Sequence, residues 1–341
     1  MDKLTVPLAT LLLLTACSHT ENSKSTEISS SVGTIVRLDP AFDALVPQSA
    51  KIEKLADSFQ FTEGPVWRPQ GVLWFSDVVG NVVRQWSPDG KVTEILRPGG
   101  ADHPDYAPPG SFIGPNGMIN DRDDAVLLCQ HGNRRIVHIS RDRQIMTLVD
   151  RWEGKKLNSP NDLVYKYDGA LYFTDPPYGL VKQDEDPTKE IKFNGVFRFA
   201  QGKLDPVIRD LTRPNGIAFS PDQKYLYIAN SDEKNKVWMR YDVQPDGTVK
   251  NGKVFFDVTA EKEDGLPDGM KADAQGNLYC AGPGGIWVFS PDGKHLGTIK
   301  PGETPANCNW GDADHKTLYI TARTGLYRIK LAVEGEKALY Q

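Results

Sequence analysis

Six polar residues recur along the chain in one local setting: Glu63, Asn116, Asn161, Asn215, Asp268 and Asn307. Each leads into a short apolar segment. Glu63 and Asp268 bring carboxylates, and Asn161 and Asn215 bring neutral amide oxygens. A hard, all-oxygen set of this kind suits Ca²⁺, or Mg²⁺ or Mn²⁺, better than Zn²⁺, which prefers His and Cys. Two carboxylates match the charge of a divalent ion. Ca²⁺ takes roughly six to eight ligands, so four from the protein leave positions for water or a substrate. An open position of that sort is what separates a catalytic ion from a structural one.

The elements that must carry these residues follow from their spacing. Successive members stand 53, 45, 54, 53 and 39 residues apart. After each comes a turn of Gly, Asp or Lys and then a second apolar strand, such as Val72–Phe75, Ala170–Phe173 or Tyr225–Ile228. A period of about 40–50 residues with several strands per unit marks a β-propeller blade. The reading is all-β, with six blades. The first strand of each blade lines the central channel, so a polar residue at one register of all six forms a ring about the axis. The plainer alternative is that Asn-Gly and Asp-Gly are turn dipeptides. That explains the set poorly, because Asp follows Asn161, Cys follows Asn307, and Glu63 is no turn former.

The second strand of a blade runs back toward the face where the first began, which takes about fourteen or fifteen residues. Counting from the ring gives Asp77, His131, Asp175 and Asn230, with Arg323 near the same place in blade six. These are expected to line the mouth of the channel. His131 is a candidate acid–base group. The Pro- and Gly-rich stretch 97–115 is long enough to be a lid or binding loop. The last repeat has room for only three strands, so 51–58 is expected to supply the fourth and close the ring.

The charged fraction is 25 %, and the net charge of −5 is spread without a basic stripe, which argues against nucleic-acid binding. Residues 1–16 read as an export leader, with an apolar core too short to span a bilayer. Leu-Thr-Ala-Cys then resembles a lipoprotein box, so Cys17 is expected to be lipidated and exposed to the periplasm, in the outer membrane of a Gram-negative cell. Residues 17–50 read as a disordered tether and lead-in, and 51–341 as the propeller. The membrane is expected to be met through that anchor alone, and the protein to be a monomer. Cys129, Cys280 and Cys308 fit buried free thiols better than a zinc site, with one disulfide left open.

Several motifs together resemble the SMP-30/gluconolactonase family: Phe-Thr-Glu-Gly-Pro-Val-Trp, Ser-Pro-Asn-Asp-Leu-Val, Thr-Asp-Pro-Pro-Tyr-Gly, Arg-Pro-Asn-Gly-Ile-Ala-Phe-Ser and Pro-Asp-Gly-Met. The resemblance runs from about 51 to 330. It implies a six-bladed propeller with a central divalent cation that hydrolyses sugar lactones, or in relatives other lactones and organophosphates. It puts the metal ligands on Glu63, Asn161, Asn215 and Asp268. It implies Ca²⁺, with Mg²⁺, Mn²⁺ or Zn²⁺ able to take its place. It favours Asp268 as the acid–base group. A carboxylate bound to a cation is a weak base, which favours His131, so both stay open. Asn116, Asn161, Asp175 and Asn230 would contact the lactone. Animal members carry Arg where Ser159 stands, so that substrate contact does not transfer. The competing reading is a non-catalytic, lipid-anchored binding or scaffold propeller with a structural ion.

Overall fold

The structure is a computed structural model that describes residues 1–2 and 31–340. The leader, Cys17 and the first part of the tether lie outside the described residues. From Ser31 onward the chain is one compact unit.

Among the described residues six antiparallel sheets of four or five strands follow one another in sequence, with a small two-stranded sheet, Arg151–Trp152 and Lys155–Lys156, between the second and third. Their innermost strands are Thr62–Arg68, Pro115–Asn120, Leu163–Tyr165, Pro214–Phe219, Met270–Ala272 and Pro305–Gly311. Each is joined to its next strand by a hairpin, giving the six-bladed propeller the repeat implied. Blade faces pack on one another through six apolar clusters, one between each adjacent pair. Between blades two and three, for example, Leu127, Cys129 and Ile136 meet Leu163, Phe173 and Phe197. Burial of this kind contributes about 25 cal/mol per Å² of apolar surface. Cys129, Cys280 and Cys308 are free and buried in these clusters, so their role is packing.

Ring closure matches the expectation. Ile52–Ala56 pairs antiparallel with Gly325–Lys330 and becomes the outer strand of blade six. The start of the folded body differs from the expected residue 51. Thr34–Arg37 pairs with His295–Lys300 as a fifth strand on blade five, and Phe42 and Leu45 of the short helix Ala41–Leu45 enter the core between blades five and six. Phe42, Leu45 and Val46, with Val32, Ile35 and Ala50 packed against the same cluster, are what anchor the lead-in.

Asn-Gly is not a turn here. Gly117 N–H donates to the Asn161 carbonyl at 2.8 Å, tying blade two to blade three at the ring. A Cβ on Gly117 would lie 2.6 Å from that oxygen, and one on Gly216 only 2.2 Å from the Asp268 carbonyl. The glycine follows the ring residue because neighbouring inner strands approach too closely there for any side chain.

Candidate active site

The ring lies at one end of the channel, beneath a cavity of ≈ 250 Å³. Glu63, Asn116, Asn161, Asn215 and Asp268 all line it, and His131 joins them. Asn307 does not line the cavity. It donates from Nδ2 to Glu63 Oε2 at 3.0 Å, so it holds a ring carboxylate in place.

Each carboxylate has one oxygen committed. Glu63 Oε2 also accepts from Gly64 N–H at 2.8 Å, and Asp268 Oδ1 accepts from Gly269 N–H at 3.0 Å. Burial lifts Glu63 to about 7, with the nearby Asp162 charge pushing the same way. Burial, and then the charges of Glu63 and Asp162, push Asp268 well above the ordinary carboxyl range. Asp162 has Lys271 Nζ at 3.8 Å. Among the described residues no Lys, Arg or His pairs with Glu63 or Asp268. Two buried, mutually repelling carboxylates flanked by amide groups are what a divalent cation would neutralise, so the donor set fits Ca²⁺ or a similar hard ion.

Asp162 and Lys271 were not singled out from sequence. Lys271→Met should leave Asp162 buried without its partner, costing roughly 3 kcal/mol. The loss, read by urea unfolding, should be large in chelator and small in excess Ca²⁺, whose charge would replace the ammonium. An equal loss in both would mean that Lys271 is not coupled to the ring.

The second register divides into two groups. Asp77 lies opposite Thr62, Gln130 opposite Pro115 and Asn230 opposite Pro214. None of the three lines the cavity: Asp77 and Asn230 bind the chain entering the inner strand, and Gln130 donates to the Gly99 carbonyl. Asp77 accepts from the N–H groups of Gln60 and Phe61, Asn230 from Arg213 N–H at 2.8 Å, and Asp175 from the N–H groups of Asn158 and Ser159, both at 2.8 Å. The expected substrate contacts from Asp175 and Asn230 are therefore replaced by a structural role. His131 and Ser231 lie one residue further on and so face the cavity. The blade-four hairpin is one residue longer, so the same count reached His131 in blade two but stopped at Asn230 in blade four.

Arg323 pairs with Asp264 beside an outer groove that shares Phe61, Leu266 and Asp268 with the cavity. Ser159 is buried, with its hydroxyl on the Pro176 carbonyl, so it contributes nothing to the cavity.

Sequence reasoning missed Phe61, Tyr178, Gln183, Ser231 and Leu266, which complete the wall, while Phe112 comes from the loop 97–115. Phe61 and Phe112 meet edge to face at 4.8 Å. Tyr178 and Gln183 come from the long excursion between Leu171–Asp175 and Gly195–Ala200. Its length was the available signal, since such loops commonly serve binding sites.

His131 Nδ1 is 2.9 Å from the Phe112 carbonyl, and its Nε2 is 3.1 Å from Asn116 Nδ2. Burial pushes the imidazole down to about 4, opposed by the Phe112 carbonyl. It is neutral near pH 7.

Residues 61–324 match the SMP-30/Gluconolactonase/LRE-like region. A gluconolactonase of Zymomonas mobilis subsp. mobilis is 39 % identical, over 97 % of this chain and 95 % of that protein. The solved gluconolactonase from Xanthomonas campestris superposes with a TM-score of 0.74 at 31 % identity, covering 89 % of this chain and 98 % of its own. Regucalcin of Xenopus laevis is 26 % identical over 80 % of this chain and 87 % of its own length. On its motifs, its blades and this extent of match, the chain belongs to the SMP-30/gluconolactonase family.

Proposed function

We propose that the protein is a divalent-cation-dependent hydrolase that opens sugar lactones. The observation that carries this reading is the pair Glu63 and Asp268, buried together on the floor of a small cavity with no Lys, Arg or His in an ion pair with either among the described residues. The Zymomonas and Xanthomonas gluconolactonases support the substrate class.

Glu63, Asn161, Asn215 and Asp268 would hold the ion. Bound there, it supplies Lewis acidity toward a lactone carbonyl oxygen. Asp268 takes a proton from the attacking water, whose oxygen forms the new bond to the carbonyl carbon. The ring C–O bond then breaks, and Asp268 returns the proton to the departing oxygen, giving the open hydroxy acid. His131 is the weaker candidate for the base, because its Nε2 lone pair already faces the Asn116 amide. Phe61, Phe112, Tyr178 and Leu266 form a largely apolar wall that limits water at the reacting carbon.

The test is hydrolysis of glucono-δ-lactone and related aldonolactones, with and without EDTA, beside simple esters as controls. Turnover of the lactones that EDTA abolishes supports the reading. A protein that retains its ion and opens no lactone is a binding propeller instead. The same proposal includes a lipid anchor at the cell envelope, and the Leu-Thr-Ala-Cys stretch is what supports that part of it. Palmitate should label the wild type and not Cys17→Ala, and labelling of neither would remove the anchor.

A further inference from the structure

We infer that His131 is a positioning residue: it locks the Asn116 amide so that its oxygen faces the cavity as a fixed acceptor for a hydroxyl of the substrate. This rests on the lactonase reading for its substrate, and on hydrogen bonding alone for its geometry.

The Phe112 carbonyl can only accept a hydrogen bond. The ring nitrogen 2.9 Å from it, Nδ1, must therefore carry the proton. In a neutral imidazole the other nitrogen is then an acceptor. Nε2 faces Asn116 at 3.1 Å, so Asn116 must present its NH₂ group there. Its oxygen is left on the opposite side of the amide. That oxygen is buried and has no hydrogen-bond partner among the described residues, while the residue as a whole is 4 % exposed and lines the cavity. An unpartnered buried carbonyl oxygen is costly unless something fills it. An acceptor with no donor capacity takes an O–H or N–H group, and a sugar lactone offers hydroxyls.

The same device recurs two blades away, which argues against coincidence. Ser231, also one residue past its register, donates to the Pro267 carbonyl, and its oxygen accepts from Asn215 Nδ2 at 2.9 Å. In both cases a backbone carbonyl sets the donor sense of one side chain, which then sets an asparagine amide. The first link of the His131 relay comes from the loop 97–115, whose Phe112 side chain also lines the cavity. Loop position and acceptor orientation are thereby coupled.

The consequence is selectivity. A site that holds an acceptor for a substrate hydroxyl rejects the analogue lacking it, because the oxygen stays unpaired. His131→Phe fills the space and removes both hydrogen bonds, freeing the amide to turn. It should lower kcat/KM for glucono-δ-lactone roughly 10–100-fold, as expected for losing one buried hydrogen bond. The same variant should change kcat/KM for unsubstituted δ-valerolactone by less than about twofold, since that ring has no hydroxyl to lose. His131→Gln, which keeps one donor and one acceptor, should recover part of the loss. Ca²⁺ affinity by calorimetry should match the wild type. Asn116→Ala should reproduce the His131→Phe pattern and serves in its place if His131→Phe does not fold.

A readout independent of activity is the ¹⁵N spectrum of the His131 ring in the wild-type protein, expected to show the neutral Nδ1–H tautomer. An Nε2–H ring would overturn the geometry whatever the protein hydrolyses. Equal losses on both lactones would make His131 a participant in the bond-breaking step. No loss on either, or weakened Ca²⁺ binding, would also overturn the inference. If the wild type opened no lactone, the proposed function would fail, while the spectrum would still decide the tautomer.

Discussion

Glu63→Ala and Asp268→Ala are each expected to lose turnover by on the order of 10³-fold or more, since each removes one of two charges facing a doubly charged ion that is needed at the transition state. Both should also weaken Ca²⁺ binding measured by calorimetry. Asp268→Asn separates the two jobs. It keeps an oxygen for the ion and loses the base, so it should bind Ca²⁺ and remain inactive. Retained activity in Asp268→Asn would move the base to another residue. A pH signature accompanies these variants. In the metal-free protein Glu63 has its folded pKa raised from 4.5 to about 7. The protonated form is the one the fold prefers, so the contribution is fully present below pH 4.5 and is lost as pH rises through about 7. Asp268 is displaced in the same direction. Urea unfolding in EDTA should show stability falling across that window, and Glu63→Gln should flatten the fall. Saturating Ca²⁺ should remove it, because the ion displaces those protons.

Deleting residues 51–58 is expected to abolish cooperative unfolding of the whole propeller. Among the described residues Ile52–Ala56 is the strand that completes blade six from the N-terminal side, and it carries Ile52, 1 % exposed, into the cluster between blades five and six. Glu53 pairs with Arg328 across the same strand pair. Without it, Gly325–Lys330 becomes an open edge, and the lead-in loses the Val32 N–H to Ile52 carbonyl bond that helps hold it on. The losses are concentrated where the ring closes, so local damage becomes global. A melting temperature equal to that of the wild type would show that the strand is dispensable.

The architecture was legible because one polar residue stands at the start of every inner strand, either within its first residues or two residues ahead of it, and the repeat survives variation in loop length. Ring closure by residues from the N-terminal side was legible too, since Asn307 onward leaves room for only three strands. The site was legible at its floor and less so at its walls. Glu63, Asn161, Asn215 and Asp268 share a register that does not depend on counting through a hairpin. Asp175 and Asn230 were reached by such a count. A one-residue difference in hairpin length turns a side chain to the opposite face, so His131 fell inside the cavity and Asn230 outside it. Ser231 was hidden for the same reason. Tyr178 and Gln183 come from an excursion whose path depends on tertiary packing, including the Ser159 hydroxyl that meets Pro176 and Gly179. Asp162 stood in plain sight as the residue that replaces glycine after the ring, yet only its distance to Lys271 shows what it does.

The central claim is that one divalent ion on the Glu63–Asp268 floor is required for lactone opening. The most direct measurement is to strip the protein with chelator, remove the chelator and titrate Ca²⁺ back while following glucono-δ-lactone hydrolysis. Activity should be absent at the start and rise in proportion to added ion, reaching a plateau at one equivalent per chain, with no rise in Glu63→Ala. Full hydrolysis by the stripped protein, or restoration of Glu63→Ala by the same titration, would contradict the account.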